Sequence, residues 1–203
     1  MLKSVPHLKR GTGKYDGAFR VLDDVLYDVC RDHPDHTDVT SVLAKLWLIG
    51  RTFTTGIERA VESDGSLGSA LITLADHMLK NGRQLNQLFG ELRAITDLTE
   101  SNAEQIVALH GQFLRILGKR TRRPPRSFAS KYLHFHCRAV PLYDRNAVMK
   151  LNRIVPWKLV TTEFNIPRGA DERYGYFMMH FLTLRRANPK LSVRELDGHL
   201  LAK

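Results

Sequence analysis

The chain has 203 residues, 43% hydrophobic and 26% charged, with two cysteines and a formal net charge of +10. That balance fits one domain, residues 1–203, able to bury a real core, and no apolar run approaches the ~18 residues of a membrane span. Two cysteines make no disulfide framework, and the basic opening "MLKSVPHLKRGTGK" lacks the apolar centre of a secretory signal, so a cytoplasmic protein is expected.

Residues 1–15 read as a flexible lead-in. Its "GTGK", at 11–14, lacks both the spacing of a phosphate loop and a preceding strand, so no nucleotide cofactor is expected. Residues 15–30 predict a helix with Phe19, Leu22, Val25, Leu26 and Val29 on its core stripe. Residues 36–61 predict a second, with Val39, Val42, Leu43, Leu46 and Ile49 inward and a continuation to Ile57. Two more follow at 66–79 and 83–95. At 101–117, Ser101 and Glu104 have capping-box spacing, and Gly118 marks the end. After a basic connector come a helix at 126–137, a short one near Asp144, one at 171–187, and a last at 192–201 with Ser192 and Glu195 as its capping box. No convincing period-2 run or internal repeat occurs. The fold class is all-α, a compact multi-helix domain.

Cys30, His33 and His36, and again His134, His136 and Cys137, have ligand-like spacing. Each trio falls short of the four donors of a structural zinc site. Surface histidines with a buried cysteine are the simpler reading, and no metal is expected.

The charge is concentrated. Between Glu104 and Asp144 no acid occurs, while Arg115, Lys119, Arg120, Arg122, Arg123, Arg126, Lys131 and Arg138 do. A charge run is usually a solvated face. This one lies between helices, is purely cationic and contains Pro124 and Pro125, which suit the first turn of the next helix. It points to a nucleic-acid backbone, with free N–H groups at the helix start sharing the phosphate-facing surface. A membrane surface is disfavoured, because no basic amphipathic helix carries bulky apolar anchors. On the next helix Ser127 and Lys131, and Ser130 and His134, are i, i+4 pairs, with Phe128, Leu133 and Tyr132 toward the core. Asp144 then has two readings: an N-cap, or a carboxylate presented to DNA and held ionised by the cations around it.

The segment "SFASKYLHFH…AVPLYDRN" resembles the helix–hairpin–helix DNA glycosylases, in particular the small prokaryotic 8-oxoguanine-glycosylase-like branch, with Asp144 at the place of the family's aspartate. "KLWLIGRTFTTGIERAV", residues 45–61, is similar to a W-x-x-G-R…I-E-R pattern of the same proteins. The likeness covers about a third of the chain. It implies a helix–hairpin–helix-like DNA-binding element and excision of a modified base, either damaged or a hypermodified phage base. Asp144 would stabilise the oxocarbenium-like sugar and orient water, with Lys131 as the second catalytic candidate. It also implies a pocket for a flipped base, for which Trp47, Arg51, Glu58, His136 and Tyr143 are candidates. Lys119, Arg120, Arg122, Arg123, Arg126, Ser127, Ser130 and Arg145 would contact DNA.

This chain departs from the family in three respects. Its hairpin has no glycine at 122–126, so guanidinium groups replace backbone N–H groups on the phosphate. The lysine of bifunctional members aligns near Ser127, with Lys131 one turn on, so a monofunctional hydrolase is expected. The four cysteines of the iron–sulfur members are missing, so no cofactor is expected. DNA is the expected partner of a monomer. The alternative is a non-catalytic DNA- or RNA-binding regulator using the 119–131 patch.

Overall fold

The computed structural model describes residues 4–8, 16–62 and 68–201, and the side chains at 16–19 are not among its described features. The "GTGK" stretch, most of the lead-in, the loop at 63–67 and the Phe19 side chain therefore lie outside the description. Among the described residues the regular structure is helical: α1 (Asp16–Asp32), α2 (Val39–Thr52), α3 (Ile57–Ala60), α4 (Ser69–Lys80), α5 (Gly82–Arg93), α6 (Glu100–Gly118), α7 (Arg126–His136), α8 (Arg145–Ile154), α9 (Glu172–Ala187) and α10 (Val193–Leu201). A 3₁₀ turn, Trp157–Leu159, follows α8. No described helix is long and apolar enough to cross a membrane.

The centre of the molecule is α7. Helices α1, α2, α5 and α6 pack around it, and every residue from Phe128 to His136 is buried. A helix enclosed on all sides is normally apolar all round, yet this one carries Ser130, Lys131, His134 and His136. Those polar groups need internal partners, and the requirement shapes the site described below. The second half of the chain closes over the end of α7, with α9 against α6 and α8 between α9 and α10. Gly111 on α6 permits the close approach there, since a Cβ at that position would meet the Ala170 backbone at 2.7 Å.

Several local expectations are corrected. Val39, expected inward on α2, is exposed, and His36, His134 and His136, read as surface histidines, are buried. Leu22 and Val25 face outward on α1, and the inward stripe is Asp23, Leu26 and Cys30. Asp23 turns inward because Arg194 of α10 meets it at 2.5 Å, a tertiary ion pair that apolar periodicity cannot register. Helix α2 stops at Thr52 rather than running to Ile57, broken by a turn in which Thr54 (φ 46°) and Gly56 (φ 68°) are both left-handed. For a β-branched threonine that conformation costs about 1–3 kcal/mol. The start of α6 is capped by Thr99 with Asn102, not by Ser101 with Glu104, and the Asn102 carbonyl accepts the Thr99 N–H at 2.9 Å. At α10 the Ser192–Glu195 box forms as expected, with reciprocal bonds of 2.8 and 3.2 Å.

Candidate functional site

The turn that delivers Asp144 is held at each residue by a side chain from another part of the fold. The Val140 carbonyl accepts from His134 Nδ1 at 2.7 Å, and the Pro141 carbonyl from the Tyr174 hydroxyl at 3.1 Å. The Leu142 N–H donates to the Asp197 carboxyl at 3.1 Å, and the Tyr143 N–H to Ser130 Oγ at 2.9 Å. His134 is in turn fixed by the Tyr27 hydroxyl, 2.5 Å from Nε2. Because a carbonyl only accepts, Nδ1 carries the proton and Nε2 receives the Tyr27 O–H. Burial pushes the His134 imidazole down to about 3, so it stays neutral in the fold. Burial also pushes the Asp197 carboxyl up to about 8, against Arg194, the Leu142 N–H and Lys131. Ser130 is fully buried in this arrangement; its hydroxyl serves the turn and is not exposed for a phosphate. His134 likewise leaves no exposed i, i+4 face.

Asp144 is the N-cap of α8, accepting the Asn146 N–H at 3.0 Å through Oδ1. Its other oxygen accepts from Lys131 Nζ at 2.9 Å, and the same ammonium donates to Ser127 Oγ at 2.8 Å. Ser127 and Lys131 are one helical turn apart, so one face of α7 aims both at the acid. The Lys131 side chain is 2% exposed and that of Asp144 26%, so the anion is the open end of the pair. Partial burial works to raise the Asp144 carboxyl, but Lys131, the Asn146 N–H and Ser127 outweigh it and hold the group below the usual carboxylate range. It is therefore ionised at neutral pH. The Phe53 ring lies 5.6 Å from Lys131 Nζ, placing the strained turn of residues 53–56 beside the buried ammonium.

An open cleft of about 400 Å³ lies beside Ser127, and neither Lys131 nor Asp144 is among the residues that line it. Thr55, Gly56 and Ile57 line it from the turn before α3, Arg123, Pro124 and Ser127 from the connector and the start of α7, and Arg145, Met149 and Arg173 from α8 and α9. Tyr143 and Arg145, which flank Asp144 in the chain, both line it. The connector is tied to residues 60–62 by backbone bonds: the Arg122 N–H donates to the Ala60 carbonyl at 2.9 Å, and the Glu62 N–H to the Arg120 carbonyl at 3.2 Å. Lys119, Arg120, Arg122 and Arg123 are exposed and enter none of the ion pairs among the described residues. Arg126 differs from them. Its Nε lies 2.8 and 2.7 Å from the two oxygens of Asp171, the N-cap of α9, so this guanidinium is engaged in fastening α7 to α9.

Of the five residues expected in a base pocket, only Tyr143 lines the cleft. His136 is interior, its ring 4.4 Å from Phe89 and 5.6 Å from His36. Trp47 is 43% exposed, with the Arg51 guanidinium 5.2 Å from its ring centre. Arg51 also pairs with Glu58 at 2.9 Å, near the surface. These three form a separate cluster. Sequence reading missed Arg173, which reaches the cleft from a helix distant in the chain, and the grip of Tyr174 and Asp197 on the turn. One available signal points harder at Asp144. From Gln105 to Thr162 it is the single acid among twelve lysines and arginines. Among the described residues no group of three or more His, Cys, Asp or Glu side chains converges as a metal site. No family model, curated protein or solved structure matches the chain.

Proposed function

We propose that the protein is a DNA N-glycosylase that hydrolyses the bond between deoxyribose and a modified base, with α6, the connector and α7 acting as a helix–hairpin–helix-like DNA-binding element. The observation that supports this most is the isolation of Asp144: one carboxylate, kept ionised, within a long cationic span and beside an arginine-lined cleft. An anion there opposes phosphate binding, and chemistry is a reason to keep it. The exposed arginines of the connector, with Arg145 and Arg173, hold the backbone. The extruded nucleotide enters between Tyr143 and residues 55–57, in a cleft of a size usual for small-molecule sites. The C1′–N bond breaks with its electron pair leaving on the base, and Asp144 stabilises the positive charge that grows on the sugar. Water adds to C1′, and the proton it loses balances the one the departing base requires. A carboxylate held below its ordinary range is a weak proton acceptor, so Asp144 acts chiefly through its charge and by orienting water. Lys131 keeps the acid ionised and aimed.

A second reading has its own observation. Each Asp144 oxygen already has a partner, one at the α8 cap and one at Lys131, which is a complete structural role. A non-catalytic DNA- or RNA-binding protein would need nothing more. The experiment that separates the two incubates the full chain and its Asp144→Asn variant with DNA carrying different modified bases, then reads alkali-labile abasic sites and DNA affinity. The glycosylase reading expects base release by the wild type, a loss of at least about 100-fold in the variant, and equal or tighter variant binding. Absence of release from every modified DNA, with binding intact, leaves the second reading.

A further inference from the structure

Three large apolar side chains at the cleft or after it in the chain are exposed: Met149 (54%), Trp157 (56%) and Tyr176 (45%). They come from α8, the 3₁₀ turn and α9, and the last two are in contact. Met149 and Arg173 are cleft residues. Tyr176 is one turn beyond Arg173, about 4.5 Å along the helix axis. The Trp157 ring packs edge-on against Tyr176 at 5.6 Å and against His180 at 4.4 Å. His180 is itself fixed, with Nδ1 2.6 Å from the Val155 carbonyl. The indole is thus clamped by its neighbours yet more than half exposed, which orders a side chain without burying it.

The chain that carries Met149 and Trp157 is mainly cationic. Between Asp144 and Glu163 the chain has Arg145, Lys150, Arg153 and Lys158 and no acid, and Arg153, Lys158 and Arg173 are exposed. One acid accompanies them: Glu172, one turn before Tyr176 on α9, lines a groove together with Arg168 and Tyr176 itself. Fixed, exposed aromatic rings bordered by cations have the chemistry that binds unpaired bases: the rings stack on bases while the cations follow the backbone. A base pair inside an intact duplex offers no such face.

We infer that Trp157 and Tyr176 form a stacking platform for unpaired bases, so that the strand leaving the cleft runs over α8 and α9 and the partner is single-stranded or locally opened DNA. The inference rests on the nucleic-acid reading of the cleft and adds to it the form of DNA preferred. The test uses the full chain with Trp47→Phe, which leaves Trp157 as the sole indole. Oligothymidylate and a blunt duplex of matched length are titrated separately, reading indole emission and the anisotropy of labelled DNA. The expected result is quenching of Trp157 by the single strand. Trp157→Ala should weaken single-strand binding by roughly 5- to 100-fold while duplex binding barely changes, and Trp157→Phe should retain most of the affinity. Single-strand binding without quenching, or equal losses on both DNAs, overturns the platform. So does self-association of the wild type that Trp157→Ala abolishes, which would assign the rings to a second copy of the chain. Binding to duplex alone removes the platform and spares the cleft. Binding to neither DNA removes both.

Discussion

The connector at 118–125 and the turn at 140–144 lie close together and are built on opposite plans. The connector is exposed, cationic and fastened by backbone hydrogen bonds to residues 60–62. The turn is held by His134, Tyr174, Asp197, Ser130 and Lys131, side chains drawn from three helices. The connector's side chains can adjust to a long, uniform polyanion, where attraction matters more than position. The turn fixes one carboxylate, where position matters more than net attraction. A site that needs both would divide the labour in this way, with mobile charge for affinity and a rigid mount for the group beside the reacting atoms.

The largest expected break in that contrast is Lys131→Ala. It removes the partner of Asp144 and opens a void in α7, and a loss of about 3–5 kcal/mol is expected on chemical denaturation. Lys131→Met, which keeps most of the volume, should lose less. Ser130→Ala comes next. It leaves the part-buried Tyr143 N–H without that acceptor, at about 1–3 kcal/mol, and under the proposed glycosylase function base release should fall more than DNA affinity because the mount loosens while the connector is untouched.

The third prediction concerns pH. In the fold Asp197 is pushed up to about 8, whereas in the unfolded chain it titrates near 4. Between those values the folded state holds the extra proton, so this group's contribution to stability falls as pH rises. His36 and His134, both pushed down to about 3 mainly by burial, act in the other direction. The unfolded chain protonates them first, so stability is lost as pH falls from about 6.5 toward 3. Asp197→Asn should remove this downward slope between about pH 4 and 8, on the order of 1 kcal/mol per pH unit, and leave the histidine-driven loss below about pH 4 intact. Melting curves across pH would show it; an unchanged slope between about pH 4 and 8 would mean that Asp197 is already ionised in the fold. The smallest stability effect belongs to the connector. Arg122→Ala with Arg123→Ala should leave the melting temperature where it is while reducing the salt slope of DNA binding by about 2. A fall in stability as large as that of Ser130→Ala would erase the distinction between the two regions.

Much of the architecture is readable from periodicity and punctuation. The ends of α6 and α7 follow from Gly118 and the Pro124–Pro125 pair, and the α10 cap from Ser192 and Glu195, because these signals act within a few residues. Asp144 at a helix start was legible for the same reason. The α6 cap and the end of α2 were misplaced by local signals that compete within a few residues, and the remaining failures depended on contacts distant in the chain. The inward face of α1 was misread because Arg194 reverses the usual preference at Asp23. Arg126 looked like a free cation until α9 brought Asp171 to it. Ser130 looked like a surface hydroxyl because its spacing gives no sign that α7 is buried on every side.

The sequence by itself determined that the chain is helical, that its positive charge is concentrated in one region, and that a lone acid interrupts it. Helix periodicity, caps and charge order are all local properties of a chain. Only the tertiary structure decided that Lys131, rather than an arginine of the connector, is the partner of that acid. The same holds for Arg173, which completes the cleft, and for His134, Tyr174 and Asp197, which hold the turn. Each of these depends on where helices far apart in the chain meet, and burial there makes a polar contact obligatory for a lysine that one-dimensional spacing leaves free to face water.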